Sequence, residues 1–200
     1  ISAGAQPTCQ ITNGTTTTTY ATTATNNTGF EWSISNPLAG SINPATGVMT
    51  WANGFFGIVN IQVRALGCNG PSTMIARSVN ITKTVGTPTA ITVASGVEPS
   101  CQLTNGTTTT TYATTATNST GFNWTISDLA AGSIDLNTGV MTWANGFFGS
   151  VDIQVTANGC NGPSAQTVRT VTVNPNPLAN TGLNSEICLG ESTTIGAAAV

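Results

Sequence analysis

Histidine is absent from this 200-residue chain, and only 6% of its side chains are charged. Without histidine, Ser/His/Asp and Cys/His catalysis are excluded, along with most zinc sites. The four basic residues, Arg64, Arg77, Lys83 and Arg169, are scattered. They are too few to neutralise a nucleic-acid backbone or to hold an anionic membrane surface. No apolar run approaches the roughly 20 residues of a membrane-spanning helix, so no membrane insertion is expected. Helical periodicity of useful length is missing too. No signal peptide is visible and the chain does not begin with Met, so it reads as an internal piece of a longer or processed polypeptide.

Thr, Asn, Ser and Gly stand where charge would be. Disorder usually accompanies high net charge and few β-branched residues. Here the net charge is −3 and Thr, Val and Ile are plentiful, which favours folded β-structure. Alternation is clear at Val59, Ile61 and Val63, and again at Val79 and Ile81. Strands are expected over 15–23, 30–35, 48–51, 58–65 and 73–83. Asn-Pro-Ala-Thr-Gly at 43–47 and Asn-Gly-Cys-Asn-Gly-Pro at 158–163 carry turn chemistry.

The chain also repeats itself. Gly14 to Asn26 recurs as Gly106 to Asn118, and Thr46 to Gly57 recurs as Thr138 to Gly149. The shift, from Cys9 to Cys101, is 92 residues. Trp32 thereby matches Trp124, Trp51 matches Trp143, Tyr20 matches Tyr112 and Cys68 matches Cys160. A unit this long is a self-contained domain rather than a solenoid repeat. About seven short strands per unit indicate an all-β fold of tandem immunoglobulin-like sandwiches. The expected division is module 1 over 1–86, module 2 over 87–175, and the start of a third module over 176–200, with Pro-bearing segments as short linkers.

A more specific likeness follows from the residues. The pattern Thr-Gly-Phe-Glu-Trp-Ser-Ile is followed by Gly-Ser-Ile-Asn-Pro-Ala-Thr-Gly-Val-Met-Thr-Trp. Next come Gly-Phe-Phe-Gly-Ile-Val-Asn-Ile-Gln-Val and Gly-Cys-Asn-Gly-Pro-Ser. The whole resembles the PKD-like and Ig-like modules of giant Bacteroidota cell-surface proteins. That group includes SprB-type gliding adhesins and other type 9 secretion substrates. The tail from Glu186 to Ala198 resembles their module starts. The resemblance implies export to the cell surface and a long multi-domain chain doing structural or adhesive work as a stalk or fibre. It carries no catalytic residues and no cofactor.

The internal repeat tests for an active site. Glu31 is matched by Asn123, Glu98 by Gln6, Asp128 by Asn36, Asp135 by Asn43 and Asp152 by Asn60. Amides transfer no protons at neutral pH, so no acid–base pair is repeated, and a calcium site built from several carboxylates is weakened. No enzyme activity, cofactor or metal is expected of these residues.

Cysteines and aromatics remain as site candidates. Cys9 and Cys68 have the same spacing as Cys101 and Cys160, which reads as one disulfide per module in an oxidising compartment. Closing such a loop contributes about 3–4 kcal/mol by the chain-entropy model. Buried free thiols are the alternative. Cys188 holds a module-start position, with its partner expected further along. Trp32 and Trp124 read as core residues. Trp51 and Trp143 are either half-buried or free to stack on sugars. Phe55 and Phe56, like Phe147 and Phe148, are adjacent, so in a strand one ring of each pair points outward to contact a neighbouring module, another chain or a glycan. The alternative is a loop aromatic folded onto the core. The Thr runs at 15–19 and 107–111 read as exposed strands, open to glycans or to pairing with another chain in a filament. The readings left open are a surface stalk, a glycan-binding module and a non-catalytic spacer in a large secreted enzyme.

Overall fold

The computed structural model describes residues 1–177. The third-module reading and Cys188 lie outside them, apart from the residues 176–177. Module 1 contains seven strands: β1 (Ala3–Gly4), β2 (Thr16–Thr19), β3 (Gly29–Ile34), β4 (Gly40–Ile42), β5 (Val48–Trp51), β6 (Gly57–Leu66) and β7 (Ile75–Ile81). They form two antiparallel sheets, ordered β1-β2-β5-β4 and β3-β6-β7. Module 2 repeats this with β8 (Thr92–Gly96), β9 (Thr108–Ala113), β10 (Gly121–Ile126), β11 (Gly132–Ile134), β12 (Val140–Trp143), β13 (Gly149–Asn158) and β14 (Thr167–Val173). Its sheets run β11-β12-β9-β8 and β10-β13-β14. A four-stranded and a three-stranded sheet in this order are those of a constant-type immunoglobulin sandwich.

Alternation explains the packing. In β6, Val59, Ile61 and Val63 point inward while their neighbours face out. They meet Met49 and Trp51 from the opposite sheet, and Tyr20 and Trp32 complete the core. Module 2 builds the same cluster from Tyr112, Trp124, Met141, Trp143, Val151, Ile153 and Val155. Gly47 lets the chain pass over the tryptophan of β3. Its φ is +69°, and a Cβ there would sit 2.9 Å from the Trp32 ring.

Some expectations change. The Thr strands are shorter than expected: β2 spans Thr16–Thr19, where 15–23 was anticipated, and β9 spans Thr108–Ala113. Nor is β2 an edge: it lies between β1 and β5, and Thr18 is fully buried. The Thr runs therefore offer no free strand for pairing with another chain. β4 and the 3-10 turn before it were not anticipated. The turn is capped by the Asn36 side chain, which accepts from the Leu38 N–H, and Asp128 does the same for Ala130.

Candidate functional site: the junction between modules

The tryptophans set aside for sugar stacking are core residues. Trp51 and Trp143 are each 1% exposed. Their indole N–H groups donate to the buried Thr18 and Thr110 hydroxyls at 2.8 and 2.9 Å. Each hydroxyl donates onward to the carbonyl of Ala5 or Val97. A buried indole needs an acceptor, and the Thr run supplies it. No face of either ring is left for a ligand.

The paired phenylalanines sit in the turns before β6 and β13 rather than in strands. Phe55 and Phe147 pack against the cores, whereas Phe56 and Phe148 are 49% and 58% exposed. The Lys83 ammonium lies 4.8 Å from the centre of the Phe56 ring.

The cysteines depart furthest from expectation. Cys9 is bonded to Cys160, across the modules, with Cα atoms 5.3 Å apart. Among the described residues, Cys68 and Cys101 have no partner and are exposed. Pairing within module 1 is geometrically impossible. Cys9 bridges to Thr82, just past the end of β7. Cys68 lies in the turn before β7 begins. The seven residues of β7, at about 3.3 Å each, separate the two by more than 20 Å. A disulfide needs Cα atoms within about 7 Å. The same reasoning separates Cys101 from Cys160, since Cys101 bridges to Asn174 past the end of β14.

The junction is built from three short segments. Residues 8–10 run beside the end of β7, with Gln10 N–H donating to Thr82 O and Thr82 N–H to Thr8 O. The Gln10 amide then ties two neighbours together. It donates to Gly54 O at 2.6 Å and accepts from Thr84 N–H at 3.1 Å. The second segment is the linker at 84–86. Its Val85 N–H donates to Cys160 O, its Gly86 N–H to Thr117 O, and its Thr84 O accepts from the Asn118 amide. The third is the hairpin turn at 159–164. Its Asn161, at φ +58°, donates to Gln10 O at 2.7 Å and reaches Thr84 Oγ1 at 2.8 Å. Val85 is buried beneath the turn's glycines, and a Cβ on Gly159 would sit 2.9 Å from Val85 Cβ. The linker's polar backbone is thus largely satisfied by its neighbours, which makes it a docked segment rather than a loose tether.

No family model and no curated protein matches this chain. Solved structures with a similar arrangement include the C-terminal 282-residue fragment of intimin in complex with the translocated intimin receptor's intimin-binding domain. That match has 16% identity and a TM-score of 0.40, covering 88% of this chain and 65% of the other. The fibronectin(III)-like modules of Clostridium thermocellum CbhA match at 13% identity and a TM-score of 0.38, over 92% and 99% of the two chains. Extracellular cadherin domains 1–4 of protocadherin gamma B7 match at 15% identity and a TM-score of 0.42, over 73% and 40%. The chain thus spans less than two thirds of the intimin fragment and of the protocadherin. These likenesses concern the fold.

Among the described residues, no group of three or more His, Cys, Asp or Glu gathers where a metal ion would sit, and no helix is long and apolar enough to cross a membrane. The repeat pattern located the cysteines but not their partners. Each module start is followed by a late hairpin in its own module and, for Cys9, by another in the next, so the order of the cysteines does not choose between them.

Proposed function

We propose that this chain is a non-catalytic structural or adhesive segment of a large extracellular surface protein, in which tandem sandwiches form a stalk or fibre. The observation that carries this reading is the Cys9–Cys160 bond across a hydrogen-bonded linker. A segment that only tethers two domains needs neither. The staple converts two small sandwiches into one stiff unit, and each module enters at one end and leaves at the other. The disulfide supports an oxidising, extracellular setting. The resemblance to Bacteroidota surface repeats supports cell-surface export and a gliding or other adhesin as parent. Module boundaries near 86 and 175 belong to the same reading.

The test is NMR relaxation on the oxidised chain and on the Cys9→Ser/Cys160→Ser variant. The oxidised modules are expected to tumble together, and those of the variant to gain independent motion. Independent tumbling in the oxidised chain would sink the proposal. Glycan binding, the second reading, rests on the exposed rings of Phe56 and Phe148. A glycan array that shows no difference between the chain and its Phe56→Ala/Phe148→Ala variant would remove it.

A further inference from the structure

The Cys9–Cys160 bond joins residues 151 apart in sequence. Inside the loop it closes lie β2 to β13 and the linker at 84–86. Outside it, among the described residues, are 1–8 and 161–177, which carry β1 and β14. We propose that the bond is a mechanical bypass. Tension passing along the polypeptide crosses from module 1 to module 2 through the two sulfurs and leaves the loop unloaded. This deepens the stalk reading and rests on it.

Covalent connectivity dictates the path. Force from the N-terminal side reaches Cys9 along the backbone, and force from the C-terminal side reaches Cys160, whatever flanks these residues. The two Cα atoms are 5.3 Å apart. The backbone route between them, fully extended, is roughly 500 Å long. The short route goes taut while the long one stays slack. The expected bonds within each module would act differently. They would enclose β2 to β6 and β9 to β13, and leave β7, the linker and β8 in the line of force. The linker is held by single hydrogen bonds, from Val85 N–H to Cys160 O and from Gly86 N–H to Thr117 O. Inside the loop, these bear no tension.

The part left under load is held by a long ladder. β14 pairs with β13 at seven positions, from Thr167 opposite Val155 to Val173 opposite Gly149. Val171 and Val173 are buried, and Arg169 holds Glu98. The strand follows the junction hairpin and ends at Asn174, whose N–H donates to Ser100 O. Tension between Cys160 and the residues after β14 therefore runs along the strand. It loads the seven pairs together rather than one after another. On the other side of the bond, β1 is only two residues long. Stripping 1–8 from module 1 releases at most about 30 Å.

The experiment pulls the full chain from its two ends in a single-molecule force instrument. The chain carries Cys68→Ser, Cys101→Ser and Cys188→Ser, so that only the staple can form. A matching chain that also carries Cys9→Ser and Cys160→Ser has no bypass. The unstapled chain should unfold in two steps of roughly 250 Å each, one per module. The stapled chain should show neither, and its longest step should stay under about 60 Å, the extended length of 161–177. Val59→Ala, inside the loop, should lower the unfolding force of module 1 in the unstapled chain and leave the stapled chain's yield force unchanged. Val171→Ala, on β14, should lower the yield force of the stapled chain. Non-reducing peptide mass spectrometry checks the bond in the same sample. Steps of about 250 Å from a chain whose Cys9–Cys160 peptide is intact, or a stapled chain weakened by Val59→Ala, would overturn the bypass, while joint tumbling of the modules would leave the stalk reading standing. Absence of that peptide would defeat the stalk reading first, and the bypass with it.

Discussion

Module 1 and module 2 share a scaffold but divide their polar chemistry differently. In both, a tyrosine packs beside the tryptophan of the third strand, with ring centres 6.5 and 6.4 Å apart. In module 1 the neutral Gln6 carbonyl accepts from both Tyr20 and Arg77, each at 3.2 Å. In module 2 a carboxylate replaces it, and the Arg169 guanidinium takes both Glu98 oxygens, at 2.7 and 2.8 Å. The Tyr112 hydroxyl is buried beside them, with no hydrogen bond of good geometry among the described residues. Burial first, and then the Glu98 carboxylate beside it through hydrogen bonding and charge, push the Tyr112 phenol far up. Burial, partly offset by Arg77, raises Tyr20 to about 12. One amide-to-carboxylate change thus trades a shared neutral acceptor for an ion pair.

Ile91 fills the core of module 2 beside Tyr112 and Trp124.

Four perturbations break or sharpen this comparison. Reducing Cys9–Cys160, which spans 151 residues, should have the largest effect. The chain-entropy model sets a ceiling of about 5 kcal/mol on the stability lost by the chain as a whole. Denaturant unfolding of the Cys9→Ser/Cys160→Ser variant beside the oxidised chain reads it, and coincident midpoints would refute it. Ile91→Ala should next remove about 2–4 kcal/mol from module 2 alone, by opening a cavity beside Tyr112 and Trp124. Equal losses in both modules, followed by their separate tryptophan signals, would contradict that placement. Gly159→Ala should cost about 1–3 kcal/mol at the junction, because its methyl meets Val85, while Gly67→Ala should leave the junction unchanged. Differential hydrogen exchange at Val85 and Gly86 separates the two.

The smallest effect is electrostatic. The Arg169 hydrogen bonds hold the Glu98 carboxyl below its ordinary range, against the opposing effect of partial burial. Its contribution is therefore complete above the unfolded carboxylate range and is lost as pH falls through the folded value. Glu98→Gln should lower module 2 stability by up to about 1 kcal/mol at pH 7 and have no such effect in strong acid, since the pair is partly exposed. A variant whose acid unfolding matches the parent would argue against a role for the pair.

Strand alternation at Val59, Ile61 and Val63, the turn residues at 43–47 and the 92-residue shift made the sandwich and its duplication legible from residue order, because each is a local or periodic pattern. Trp51 was ambiguous for a physical reason. Its burial depends on Thr18 in another strand accepting its N–H, and no neighbouring residue encodes that. The cysteine partners were illegible for a related one. A late hairpin and a module start recur at fixed intervals, so residue order permits bonds within a module or across to the next. Which bond forms depends on where the ends of β7 and β14 lie. The fold places the hairpin and the module start more than 20 Å apart within a module and in contact across the junction. Local pattern was thus enough to specify two sandwiches, and their packing in space determined that the staple joins them.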